Sequence, residues 1–132
     1  MGKIIQQKVE FAAAPQEIYE MLMDAKKHGA FTGEKASMSR KVGGKITAYG
    51  GYITGTNLEL EANRRIVQKW RCTEWAKNVF SIAVFELEPT KKGTRLTFVH
   101  VGVPDNDYQD KVTGWKESYW DKMKKALTGA KK

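Results

Sequence analysis

A chain of 132 residues, 41% hydrophobic and 29% charged, forms one domain and can bury roughly two-thirds of the surface its unfolded form exposes. The single Cys72 excludes an intramolecular disulfide and has no Cys-x-x-Cys or Cys/His cluster around it, so no metal signature is present and a reducing compartment is expected. A formal charge of +8 permits an acidic partner without identifying one.

The first strand is read from Ile5, Gln7, Val9 and Phe11, which alternate with Gln6, Lys8 and Glu10. Its start turns polar after two isoleucines, so no secretory segment can be drawn, and Gln6 stands where a myristoylation pattern needs Ser or Thr. No stretch approaches the ~20 apolar residues of a membrane span, and a soluble cytoplasmic protein is expected. Pro15 suits a first helical position, and Ile18, Met21, Leu22 and Ala25 recur at helical spacing, which predicts a helix over 15 to 24. Lys26 to Gly33, broken by Gly29 and Gly33, reads as a further helical turn or a loop.

After Lys35 the chain reads as a meander of strands. Gly43-Gly44 and Gly50-Gly51 bracket Lys45 to Tyr49; Glu61 to Arg64 separates Tyr52 to Leu60 from Ile66 to Cys72; Thr90 to Gly93 separates Val79 to Leu87 from Thr94 to Val101. Ile66, Gln68, Trp70 and Cys72 share one strand face, while Ile82 to Phe85 is apolar on both faces and is expected at the centre of the sheet. Gly55 predicts a bulge or sharp bend.

A last helix is predicted over 107 to 127, with Asn106 and Gln109 as a capping box and Asp105, Asp107 and Asp110 at the positive end of its dipole. Val112, Trp115, Tyr119, Met123 and Ala126 lie on one face, edged by Trp120 and Leu127. So broad an aromatic stripe needs a long concave partner, such as a curved sheet. One α+β domain over 1 to 132 results, in the order β-α-α-β6-α.

That order resembles the helix-grip fold of the START and Bet v 1-like superfamily. The motifs are similar to one branch of it, the C-terminal domain of the activator of Hsp90 ATPase. The resemblance rests on Gly44-Lys45-Ile46, Gly51 to Gly55, Ile66 to Arg71 with Trp75 nearby, Thr94 to Thr97, Gly102-Val103-Pro104, and Gly114-Trp115 followed by Tyr119-Trp120. It spans Lys8 to Leu127 and implies a curved antiparallel sheet of about seven strands wrapped around the C-terminal helix. It also implies a co-chaperone-type module that binds Hsp90 and promotes its ATPase, although full-length members carry a separate N-terminal domain for which 132 residues leave no room. A use found in the wider superfamily gives the alternative: a binder or carrier of a small apolar ligand between sheet and helix, with Trp70, Phe98, His100, Trp115 and Tyr119 as cavity lining.

The residues themselves offer little chemistry. His28, in a predicted loop, reads as a surface residue; His100, in a strand with Leu96 and Phe98, reads as a satisfied structural histidine or as a group pointing into the hollow. Cys72 reads as a half-buried inert thiol, and Glu59/Glu61, Glu86/Glu88 and Asp105/Asp107 as solvated strand surface and helix cap. There is no nucleophile elbow, Walker loop or dinucleotide fingerprint, so no enzyme, cofactor or metal is expected.

The basic residues are dispersed: Lys26 and Lys27, Lys35, Arg40 and Lys41, Arg64 and Arg65, Lys91 and Lys92, then Lys122, Lys124, Lys125, Lys131 and Lys132. They read as solvated turns and helix end, or as a face for an acidic protein, with nucleic acid and membrane not expected as partners. Lys26, Lys27, Trp75 and Lys77 are the candidate partner contacts, with Trp75 as a loop aromatic of the kind that anchors interfaces.

Overall fold

A computed structural model describes residues 2–129; Lys131 and Lys132 lie outside them. The alternating first segment forms β1 (Lys3–Phe11), with Ile5, Val9 and Phe11 buried and its charged residues outside. Pro15 opens α1 (Pro15–Met23), and Ile18, Met21 and Leu22 are buried as their spacing requires. Asp24 breaks the helix, and its carboxylate accepts from the Lys27 backbone N–H at 3.0 Å, capping α2 (Ala25–Thr32). The Lys26-to-Gly33 segment is therefore helical, ended by Gly33.

Six more strands follow: β2 (Ser37–Met38), β3 (Lys45–Ala48), β4 (Ile53–Glu61), β5 (Arg65–Cys72), β6 (Ser81–Thr90) and β7 (Gly93–Val103). They make one curved sheet, every neighbouring pair antiparallel, in the order β1-β7-β6-β5-β4-β3-β2. The seven-stranded grip fold expected from the sequence is the one observed. Its inner face carries Phe98, Phe85, Ile66 and Trp70, all buried.

β6 lies inside the sheet between β7 and β5, as its apolar run predicts, but its outer face is not fully covered. Ile82 and Val84 are only half-buried, because β6 has helices on one side only and its outer side meets solvent beside Val99 and Val101. The β4 bulge falls between Asn57 and Glu59, not at Gly55. Gly55 is needed for another reason: a Cβ there would collide with the Lys69 carbonyl of β5.

The outer charges pair across strands. Arg65 bridges Glu59 at 2.8 Å and Glu86, and Arg95 bridges Glu10 at 2.7 Å and Glu88 at 3.3 Å. The Glu59/Glu61 and Glu86/Glu88 pairs of the sequence are therefore sheet-surface carboxylates held in ion pairs, Glu61 with Arg64 at 3.0 Å, whereas Asp107 of the third pair turns to Lys111.

The C-terminal helix starts after a 3-10 turn (Asp105–Asp107) and runs without a break through α3 (Tyr108–Gly114), a π-helical turn (Trp115–Trp120) and α4 (Asp121–Gly129). The expected capping box does not form: Asp107 is the N-cap residue and makes no side-chain cap bond. The π turn shifts the phase of the buried stripe. Trp115, Tyr119 and Trp120 all reach the sheet, while upstream Lys111 is buried and Val112 only partly so.

Gln7 of the edge strand clamps this helix. Its amide nitrogen donates to the Val112 carbonyl at 3.2 Å, and its oxygen accepts from the Trp120 indole at 2.6 Å. No helix among the described residues is long and apolar enough to cross a membrane.

Candidate functional site

The elements converge beneath the π turn. Tyr49 follows β3 in the left-handed region (φ 52°), a conformation a bulky residue adopts only when its surroundings impose it. Here its hydroxyl donates to the Ser118 carbonyl at 2.5 Å and its ring meets Tyr119 edge-on at 5.9 Å. The β3–β4 turn and the helix thus face each other across a pocket of about 150 Å³. Tyr52, Ile53, Trp70, Trp115 and Tyr119 give it mainly apolar walls, with Lys111 and Asp110 at the polar end.

Of the five residues expected to line a cavity, Trp70, Trp115 and Tyr119 do so. Phe98 and His100 lie behind them, fully buried, with the Phe98 ring 4.3 Å from that of Trp115. His100 does not reach the pocket. The Trp115 indole, which can only donate, places its Nε1–H on His100 Nδ1 at 3.0 Å. The neutral imidazole must then carry its proton on Nε2, which donates to Ser81 Oγ at 2.6 Å, and the Ser81 hydroxyl passes on to the Trp70 carbonyl at 3.3 Å. Burial, then the charge of Lys111, pull the His100 pKa down to about 3. Every polar atom of the ring is satisfied by protein, and Ser81 is 2% exposed, so the Ser81–His100 pair has no route to a substrate.

His28 overturns its surface reading. It belongs to α2, is buried at 3% exposure, and stacks on Phe31 at 5.1 Å. The Leu22 carbonyl fixes Nδ1 as a donor at 3.2 Å, so Nε2 accepts the Tyr119 hydroxyl at 2.9 Å. Burial lowers its pKa, against an opposing contribution from the Leu22 hydrogen bond. The same burial raises that of Tyr119. The available signal was the second helix itself: His28 stands three and four residues before Phe31 and Thr32, with which it shares the buried face of α2.

Lys111 is the pocket residue that the sequence reading missed. It is 6% exposed, and its ammonium lies 3.0 Å from Asp107, 3.1 Å from Asp110 and 3.3 Å from the Tyr52 hydroxyl. Burial works against its charge, but the Asp107 carboxylate and its neighbours hold its pKa above the usual lysine value. Its spacing of four from Trp115 and seven from Ser118 was legible as one helix face, although a lysine there reads as solvated. Nearby Cys72 is fully buried rather than half-buried, and burial pushes its thiol up to about 11, which leaves it inert. Among the described residues no group of three or more His, Cys, Asp or Glu side chains could hold a metal.

The candidate partner contacts divide. Lys26 and Lys27 are exposed on α2 and Lys77 on the β5–β6 loop, none with a salt bridge among the described residues. Trp75 is not an exposed anchor. It is 7% exposed, packs on Trp70 at 5.8 Å, and donates its indole N–H to Asp107 at 2.7 Å. Arg71 also takes the Trp75 carbonyl, at 2.5 Å. A loop aromatic looks exposed in sequence; here the loop folds back over β5.

With this geometry in place, comparison with known proteins is informative. Residues 12–128 match the family model described as Activator of Hsp90 ATPase homolog 1-like protein. A Dictyostelium discoideum protein named activator of 90 kDa heat shock protein ATPase homolog is 30% identical over 131 residues, covering 98% of this chain and 34% of its own length. The human activator of 90 kDa heat shock protein ATPase homolog 1 is 26% identical over 120 residues, covering 91% and 36%. The chain thus spans about a third of the length of these curated relatives. A crystal structure described as an Hsp90 activator from Plasmodium falciparum superposes with a TM-score of 0.89 at 24% identity, covering 96% of this chain and 97% of the other, which shows the same fold.

Proposed function

Because the chain belongs to the family of Activator of Hsp90 ATPase homolog 1-like proteins, we propose that it is a co-chaperone-type interaction module that binds an Hsp90-type chaperone and promotes its ATPase. The family match over residues 12–128 carries this reading. The charge distribution supports it. Most acidic side chains of the outer sheet are spent on Arg65 and Arg95, so the exposed Lys26, Lys27 and Lys77 remain to meet an acidic face. Trp75 serves this contact indirectly, by fixing the loop that displays Lys77.

A module of this kind acts by differential binding. If it grips the ATP-competent conformation more tightly than the open one, each ~1.4 kcal/mol of preference shifts the population tenfold. The test is titration of an Hsp90-type chaperone with the purified chain, following binding and ATP turnover together. Saturable binding with a rise in turnover supports the whole reading; binding with no rise supports a docking module alone; no binding at low salt overturns both.

A second reading is favoured by the aromatic pocket of about 150 Å³ under the π turn: binding of a small apolar molecule between sheet and helix. A ligand that raises the melting temperature in proportion to its concentration would support it.

A further inference from the structure

The pocket under the π turn has two chemically distinct ends, and together they specify more than an apolar guest. The inner end is ring-walled: Trp70 and Trp115 stand 5.5 Å apart, and Trp115 and Tyr119 4.6 Å apart. A volume of about 150 Å³ matches that of protein cavities that take one benzene ring, so the apolar part of a guest is a single ring and not a lipid chain.

The outer end holds Lys111 between two aspartates that differ in freedom. Asp107 is 13% exposed and also accepts the Trp75 indole N–H at 2.7 Å, so it is fixed in the wall. Asp110 is 75% exposed and makes its 3.1 Å contact with Lys111 from the solvent side. Its carboxylate can swing into water at little cost, whereas the Lys111 ammonium cannot leave. A carboxylate on an incoming ring would take the place that Asp110 vacates and keep the local charge balance unchanged. With Asp110 swung out, Lys111 is balanced by Asp107 alone and offers its N–H donors to a carboxylate, whereas a cationic head would meet donors with donors there and could turn only to the exposed Asp110. The net +8 of the chain adds a general attraction for anions.

We propose that this pocket binds a small aromatic acid, its ring against the wall formed by Trp70, Trp115 and Tyr119 and its carboxylate on Lys111 in place of Asp110. The inference rests on the second reading above, that the pocket takes a ligand at all.

Benzoate, benzamide, toluene and benzylammonium serve as probes, each titrated into the whole chain by calorimetry and thermal shift. Benzoate is expected to bind at least about tenfold tighter than toluene or benzamide, the increment that one charge-assisted hydrogen bond to a buried ammonium supplies. Asp110→Ala removes the competing carboxylate from an exposed position and is expected to tighten benzoate several-fold while leaving toluene unchanged. Lys111→Met is expected to reduce benzoate to the affinity of the neutral rings. Gly114→Leu fills the pocket from a helical position where an added Cβ meets nothing within 4 Å, and is expected to abolish binding of every probe.

Toluene binding with benzoate no tighter, benzylammonium binding tighter than benzoate, or Asp110→Ala weakening benzoate would each overturn the assignment while leaving the pocket reading intact. Failure of every probe to bind the wild-type chain would overturn both.

Discussion

Trp115 Nε1 donates to His100 Nδ1 at 3.0 Å, and this one bond joins the C-terminal helix to the centre of the sheet through a side-chain relay that ends at the Trp70 carbonyl. Two roles of Trp115 can be separated by substitution. Trp115→Ala removes a ring that is 3% exposed and should cost about 3–5 kcal/mol in urea denaturation. Trp115→Phe keeps most of the ring but strands the His100 acceptor, and should cost about 1–3 kcal/mol. A loss below about 1 kcal/mol for the alanine variant would place the ring at the surface instead.

The two buried histidines give the fold an acid limit. Both pKa values are lowered in the folded state, His100 to about 3, so between roughly pH 6.5 and 3 the unfolded chain binds protons that the folded chain refuses. Their contribution is therefore complete above about pH 6.5 and is lost as pH falls. The slope should approach about 1.4 kcal/mol per pH unit for His100 near pH 5, before carboxylates titrate, with His28 adding to it in the same direction. Denaturation curves at pH 7, 6 and 5 measure it, and His28→Gln should make the slope shallower. Stability that stays flat from pH 7 to 5 would mean that the imidazoles are accessible to protons.

Gly55 is set by β5 rather than by the β4 bulge. Gly55→Ala pushes a methyl group into the Lys69 backbone carbonyl, which cannot move without breaking the β4–β5 ladder. A loss of about 1–3 kcal/mol is expected, as for other overpacked sites. Unchanged stability would show that the two strands separate there more easily than their register implies.

Binding to an Hsp90-type chaperone should be salt-sensitive, with affinity falling between about 50 and 300 mM salt as exposed charges are screened. Charge reversal at Lys26 and Lys27 together should weaken binding several-fold and leave the melting temperature unchanged, since both side chains are exposed on α2. Equal affinity for wild type and the double variant would move the contact to another face. Trp75→Ala is a poor test of contact, because removing a buried ring that holds Asp107 disturbs the core first.

Most of the fold was legible because periodicity is a local property. The strand alternation of Ile5 to Phe11, the paired glycines that divide the meander, and the Trp115/Tyr119/Met123 stripe each read correctly from neighbours a few positions apart. The helix-grip resemblance then ordered those pieces, and the structure bears it out.

What the sequence could not decide depends on groups brought together from distant positions. His28 reads as a loop residue until Tyr119, 91 positions on, supplies its partner. Trp75 reads as an exposed anchor until Asp107, 32 positions on, accepts its indole. Lys111 reads as a solvated charge because a lysine on a helix face ordinarily reaches water, and because its neutralising partner Asp107 is buried only once the β5–β6 loop has folded against it. Local spacing fixed which residues share a face. Only tertiary packing decided which faces are dry, because desolvation and hydrogen-bond satisfaction are settled by whatever lies on the other side.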